Sequence, residues 1–249
     1  MTETGDAPPC APPDFAPRKP RLAFAPLACD CHAHILGPAS LHAYSPERVY
    51  TPPDCLAADY RAMLATLGVE RAVLVQPSVY GADNTVMLQA LREAGPAFRA
   101  VAVVDWSVGD EALDSLHAAG VRGVRVNVVD VVFGHLGYMR TAKGIDAPGY
   151  QALLRLMRHG RCWVKLTGPY RISGGAMPHA DVTLFAHALL RAAPDRVVWG
   201  SDWPHVMVKG PMPNDGDLAD LLLDWIPDED LRRRVMADNP ARLYGFPPP

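Results

Sequence analysis

Asp30-Cys31-His32-Ala33-His34 closes an apolar run that begins at Leu22, and its reading decides the fold. Side chains on a strand alternate with period two, so two histidines one residue apart share a face. A face with two imidazoles forms half of a metal site or a polar catalytic floor. A second stretch of the same kind lies far downstream, Arg196-Val197-Val198-Trp199-Gly200-Ser201-Asp202-Trp203-Pro204-His205, a short apolar strand ending in an acid.

Between these stretches the chain alternates strands and helices. Strands are expected over Leu27 to Ile35, Arg71 to Gln76, Arg99 to Asp105, Val121 to Val129, Cys162 to Leu166 and Arg196 to Gly200. Helices are expected over Asp54 to Leu67, Asn84 to Ala94, Asp110 to Ala119, Pro148 to His159, Asp181 to Ala193, Asp217 to Trp225 and Asp228 to Asp238. Gly68, Gly95-Pro96 and Gly120 supply stop signals. Apolar strands alternating with helices predict a mostly parallel α/β sheet, and this many repeats make a TIM-like (β/α) barrel the leading architecture. A doubly wound open sheet is the alternative, without a GxGxxG turn to support a dinucleotide version.

One place breaks the rhythm. Asp130 to His135 reads as another strand, yet it follows the Val121 to Val129 strand directly. A parallel crossover needs about a dozen residues or more. At the Val129–Val131 junction either one long bent strand forms or the barrel lacks a unit. The expected fold is therefore an incomplete, gapped barrel with seven recognisable strands and the unit around the fifth missing. Residues 1–21 hold six prolines between Pro8 and Pro20 and read as a Pro-rich flexible tail or a surface strap ahead of a barrel domain, 22–249.

Composition narrows the function. The chain has 249 residues, 49% hydrophobic and 20% charged, enough for one large domain with a core. A net charge of -3 gives no support to a nucleic-acid partner or an anionic membrane surface. No apolar run reaches the roughly 18 residues of a membrane helix, and no signal peptide is read. Five cysteines without CxxC spacing suit a reduced, cytoplasmic protein.

Reactive side chains of a parallel barrel sit at the C-terminal ends of its strands. Those ends supply His32 and His34, Ser78 with the loop to Asn84, Arg125 and Asn127, His135, Thr167 with Tyr170 and Arg171, and Asp202 with His205. Histidines with an acid fit general acid–base or metal-assisted hydrolysis. Arginines suit a carboxylate-bearing substrate. His42, His117, His159, His179 and His187 fall in loops or helices and are read as structural.

Asp30-Cys31-His32-Ala33-His34 with Ile35-Leu36-Gly37-Pro38, then Gly200 to His205, then Asn239-Pro240-Ala241-Arg242-Leu243-Tyr244, resemble the amidohydrolase superfamily of TIM-barrel, metal-dependent hydrolases, in particular its dicarboxylate-lactonase branch. Val75-Gln76-Pro77-Ser78, Gly81 to Asn84 and Gly120 to Arg125 match in the same order. The resemblance implies a distorted barrel that hydrolyses a carboxylated lactone or related small cyclic ester. It implies Asp202 as general base, and His32, His34 and His135 as groups polarising the carbonyl. Arg125 and Arg171 would hold substrate carboxylates, with Tyr50, Ser78, Asn84 and His205 as further substrate contacts. That branch works without a bound metal, so no cofactor is required. Zinc on His32, His34 and Asp202 is the alternative taken from other branches, as in a zinc-dependent decarboxylase. Relatives carry a helix, a strand and another helix where this chain has its junction. A homodimer partner or the proline-rich tail would then cover the exposed strand edges. A non-catalytic binding protein that kept the pocket is the third reading.

Overall fold

The computed structural model describes residues 7–105, 107–124, 131–160 and 162–247. Among the described residues, seven parallel strands form two sheets. The first contains β1 (Cys29–Ala33), β2 (Arg71–Val75), β3 (Phe98–Ala102) and β4 (Val121–Val124) in sequence order. The second contains β5 (Val131–Phe133), β6 (Cys162–Leu166) and β7 (Val197–Trp199). Helices α1 (Ala57–Leu67), α2 (Thr85–Ala94), α3 (Asp110–Ala118), α4 (Pro148–Arg158) and α5 (Ala180–Ala192) provide crossovers. Helices α6 (Asp215–Trp225), α7 (Glu229–Arg233) and α8 (Asn239–Tyr244) end the chain, with a π-helical turn at Arg234–Asp238 between the last two. This is the expected (β/α) barrel with one unit missing.

Among the described residues, the sheets join by hydrogen bonds at the β7–β1 side. Beyond the ends of β7 and β1, the amide of Asp202 donates to His32 O at 2.9 Å, and that of His34 donates to Trp203 O at 2.9 Å. Under this seam the buried Asp30 carboxylate accepts from the His32 amide, the Ser201 amide and hydroxyl, and the Tyr60 hydroxyl of α1. Gly200 is needed here, because a Cβ on it would lie 2.8 Å from the His32 backbone nitrogen. On the other side, β4 and β5 share no ladder among the described residues.

Strict alternation would put Cys29 and Cys31 on one face of β1 and His32 on the other. The β1–β2 register slips between Asp30 and Ala33, so the strand bulges there. Cys29 and Cys31 pack with Val73, Trp163, Val198 and Tyr244, with Val101 against that cluster, and His32 lines a cavity that Val101 also borders. The bulge thus brings both sets to the barrel interior, as bulges beside functional sites do.

Several boundaries differ from expectation for local reasons. The expected helix from Asp54 starts at Ala57, because Asp54 is used at the Ala39 amide and Asp59 caps the Leu56 amide. Helix α6 starts two residues early, where Asn214 caps the Gly216 amide. The short helix α8 was not anticipated. Residues 7–21 are hydrogen-bonded to the barrel domain at several points. Thr51 accepts from the Cys10 amide and donates to the Pro8 carbonyl, Asn214 donates to Asp14, and Arg18 pairs with Asp217 and Asp220. Among the described residues, none of these bonds reaches β4 or β5. Arg125, Asn127, Val129 and Asp130 lie outside the described residues.

Candidate active site

Six polar side chains converge at the C-terminal ends of β1, β6 and β7 and the turn after β5. His32 and His34 stand with ring centroids 5.1 Å apart, and His32 and His135 with theirs 5.3 Å apart. His32 Nε2 is 3.6 Å from Asp202 Oδ1, and His135 Nδ1 is 4.0 Å from Asp202 Oδ2. Both separations exceed a hydrogen bond. Arg171 Nε and the Tyr170 hydroxyl each donate to Asp202 Oδ2 at 2.6 Å. This occupies Oδ2 and leaves Oδ1 facing His32.

Asp202 is 1% exposed. Burial alone would raise its carboxyl, but His135 where it is protonated, the charges of Arg171 and His205 and the Tyr170 hydroxyl outweigh it, holding the group below its ordinary range. Asp202 is therefore ionised near neutral pH. His135 is shifted down, chiefly by burial and against the pull of Asp202, and so is neutral there. Asp202, His135 and His205 all have left-handed backbones, with φ of 71°, 47° and 58°. Such conformations in non-glycine residues persist where surrounding structure enforces them, and they gather at functional sites. Gly168, at φ +55°, permits the approach of acid and histidine: a Cβ there would lie 2.8 Å from His135 Nδ1 and 3.0 Å from Asp202 Oδ2.

A hydrogen-bonded chain leads away from the acid. Tyr170 Oη also lies 2.9 Å from His205 Nδ1, and His205 Nε2 lies 3.1 Å from Asp215 Oδ1 at the start of α6. Burial depresses His205, but Asp215, by charge and hydrogen bond, more than compensates and raises it. In front of the cluster a cavity of about 710 Å³ is lined by His32, His135, Lys165 and Tyr138 and runs between β4 and β5 to Arg122 and Tyr244.

The structure brings together His32, His34, His135, Arg171, Asp202 and His205 from the sequence-derived set. Of the others, Arg125 lies outside the described residues. Tyr50 is buried in the main apolar core. Ser78 is exposed at the turn after β2. Asn84 spends its amide on both backbone groups of Val103, tying the start of α2 to the end of β3. Arg171, expected on a substrate carboxylate, is instead engaged with Asp202 and the Val206 carbonyl. Three residues were missed. Lys165 lies between Cys31 and His32, Asp30 beneath the seam, and Asp215 behind His205. An acid two residues before His32 and a lysine inside an apolar strand were the available signals.

The metal question turns on donors. His32, His135 and Asp202 offer ligand atoms all within 4.8 Å of one another, so the trio differs from the expected His32, His34 and Asp202. That spacing admits a small cation, but the surroundings do not suit one. A metal-bound imidazole normally donates its second N–H to an acceptor. Here the second nitrogen of His32, Nδ1, faces the Lys165 ammonium at 3.3 Å, a group with donors only. Arg171 already neutralises Asp202. His34 turns Nδ1 to the Val75 carbonyl at 2.7 Å. The residues present thus do not fit a divalent ion.

Comparison with known proteins agrees with this geometry. The chain belongs to the amidohydrolase family, whose model matches residues 29–130 and 129–246. The two matched segments meet where the barrel unit is missing. The chain is 34% identical to the 4-sulfomuconolactone hydrolase of Hydrogenophaga intermedia, covering 96% of this chain and 95% of that one. It is also 34% identical to the 2-pyrone-4,6-dicarboxylate hydrolase of Comamonas testosteroni, over 92% and 93% of the two chains. Among solved structures, an apo protein of Agrobacterium tumefaciens superposes with a TM-score of 0.79 at 27% identity, covering 92% of this chain and all of that one. The first alignment runs over 290 residues although this chain has only 249, so at least 41 residues of the relative have no counterpart here. No described helix is long and apolar enough to cross a membrane.

Proposed function

We propose that the protein hydrolyses a carboxylated lactone or related small cyclic ester without a metal cofactor. The observation that carries this reading is the buried Asp202 carboxylate, kept ionised by Arg171 and Tyr170 on Oδ2 and open toward His32 through Oδ1, with His135 beside Oδ2. Asp202 takes the proton of the attacking water, as a base with one oxygen committed and one available. His32 and neutral His135 face the same space and stabilise the oxyanion that develops on the lactone carbonyl. Arg171 orients the base, and Arg125 remains the arginine assigned to a substrate carboxylate. The relatives named for lactone hydrolysis support this substrate class.

Asp202→Asn keeps the shape but loses the base, and general-base chemistry contributes about 10²–10⁴-fold. Turnover of a carboxylated lactone should fall by at least about that range, with the unfolding midpoint retained. Near-normal turnover in this variant would overturn the assignment. Wild-type activity surviving chelation, with no stoichiometric metal in the purified protein, is expected; zinc lost together with activity in His32→Ala would favour the decarboxylase-type alternative.

A further inference from the structure

Lys165 has no place in the chemistry above, yet it sits against one of its central groups. It lies on β6 with its side chain turned to the barrel interior and is only 5% exposed. Its ammonium donates to the Cys31 carbonyl at 2.6 Å, lies 3.3 Å from His32 Nδ1 and stands 5.9 Å from the centre of the Tyr244 ring. These contacts fix it on both sides of the bulged β1 strand. Placing an ammonium in such surroundings is costly without good partners, so an orientation this well defined calls for a reason.

We propose that Lys165 is a positioning residue that holds His32 in the tautomer with its proton on Nε2, aimed at the space shared with Asp202 and His135. This rests on the reading of that space as the place where a carbonyl is polarised. An ammonium offers donors and no acceptor, so the ring nitrogen facing it must accept. Neutral imidazole carries one N–H, which then stands on Nε2. The lysine charge also draws electron density from the ring, which makes Nε2–H a stronger donor to a developing oxyanion.

His34 is fixed the opposite way. Its Nδ1 faces the Val75 carbonyl at 2.7 Å, and a carbonyl only accepts, so Nδ1 carries the proton and Nε2 presents a lone pair. The HxH pair therefore divides its labour. His32 donates to the carbonyl oxygen, whereas His34 commits its Nδ1–H to Val75, and with a single proton its Nε2 is an acceptor suited to a water or a hydroxyl. Equivalent roles for the two histidines are excluded by their partners.

Long-range ¹H–¹⁵N correlation on protein labelled with ¹⁵N-histidine reads the tautomers directly, with His32→Gln assigning the signals. At neutral pH the wild-type protein should show His32 protonated on Nε2 and His34 on Nδ1. In Lys165→Met the His32 proton should redistribute toward Nδ1, and kcat should fall about 10- to 100-fold, the equivalent of one hydrogen bond to a charged group, with KM little changed. Lys165→Arg, which keeps a cationic donor, should restore part of both. A His32 proton on Nδ1 in the wild-type protein overturns the proposal, as does an unchanged tautomer in Lys165→Met. If Lys165→Met does not fold, the wild-type spectrum still decides. The spectra need no substrate, so the tautomer assignment and the lactone-hydrolase reading fail separately.

Discussion

The two seams between the sheets are opposites. At β7–β1 the backbone is continuous in hydrogen bonding through Asp202, His32, Trp203 and His34, and a buried carboxylate gathers four donors beneath it. At β4–β5 no ladder joins the described residues, β5 has three residues, and Val131 is 44% exposed. The polar cluster hangs on the closed seam: His32 and His34 come from β1 and its end, Lys165 from β6, and Asp202 and His205 from the turn after β7. Of the candidate groups, His135 follows one open edge strand and Arg125 follows the other. Removing a barrel unit therefore thins the wall while leaving most of the hydrolytic centre on intact pairing.

The strongest way to break this contrast is Asp30→Ala. It leaves the His32 amide, the Ser201 amide and hydroxyl, and the Tyr60 hydroxyl without their acceptor. Each buried donor left unsatisfied costs about 1–3 kcal/mol, so several kcal/mol should disappear from the unfolding free energy in urea. A loss no larger than that of an exposed surface change would show that the seam does not depend on this carboxylate.

A pH experiment sharpens the same point. Burial, offset in part by Ser201, His32 and Tyr60, pushes Asp30 up to about 6. In the unfolded chain the group returns to about 3.9. Between those values the native state holds a proton that the unfolded state releases, so this contribution is complete below about pH 4 and is lost as pH rises through about 6, amounting to about 3 kcal/mol. Urea midpoints across that window should show the fall in the wild-type protein and not in Asp30→Asn. Asp202 has the opposite sign, since its carboxyl is held low. Its contribution is present above about pH 4 and lost below it.

Much of this was legible in the sequence because it is local. Strand β6 begins and ends as read, α2 and α4 fall within a residue of expectation, and the absent crossover at Val129–Val131 follows from chain length alone. The partners of the site residues were not legible. Arg171 reads as a substrate arginine until Asp202 is found against it. His32 and His34 read as equivalent until Lys165, 133 residues away, faces one of them and the Val75 carbonyl the other. A lysine within an apolar strand marks itself as unusual but not its partner, and a bulge at Asp30–Ala33 cannot be told from alternation.

Further from the seam, Asp215→Asn tests the chain that runs through His205 and Tyr170 to the acid. Losing the charge of Asp215 removes the largest influence that raises His205, leaving that of Asp202, and the Tyr170 hydroxyl then has less reason to point its proton at Asp202. A hydrogen bond to a charged group is worth about 1.5–3 kcal/mol, and losing part of that at one remove should lower kcat about tenfold. An unchanged kcat would make the chain purely structural.

The smallest effect is expected at the open seam, and it carries information about association. Val73, buried in the middle of β2, should lose about 2 kcal/mol of stability as Val73→Ala, through lost burial and the cavity left behind. Val131→Ala on the exposed edge should stay within about 0.5 kcal/mol, because its side chain is already half in water. That difference holds for a monomer. If a second copy of the chain covers the β4–β5 edges in solution, Val131 becomes an interface residue, and its cost rises toward that of Val73. The stability of such an assembly depends on protein concentration, whereas that of a monomer does not. Unfolding midpoints of both variants at two protein concentrations therefore separate an open seam from one closed by association.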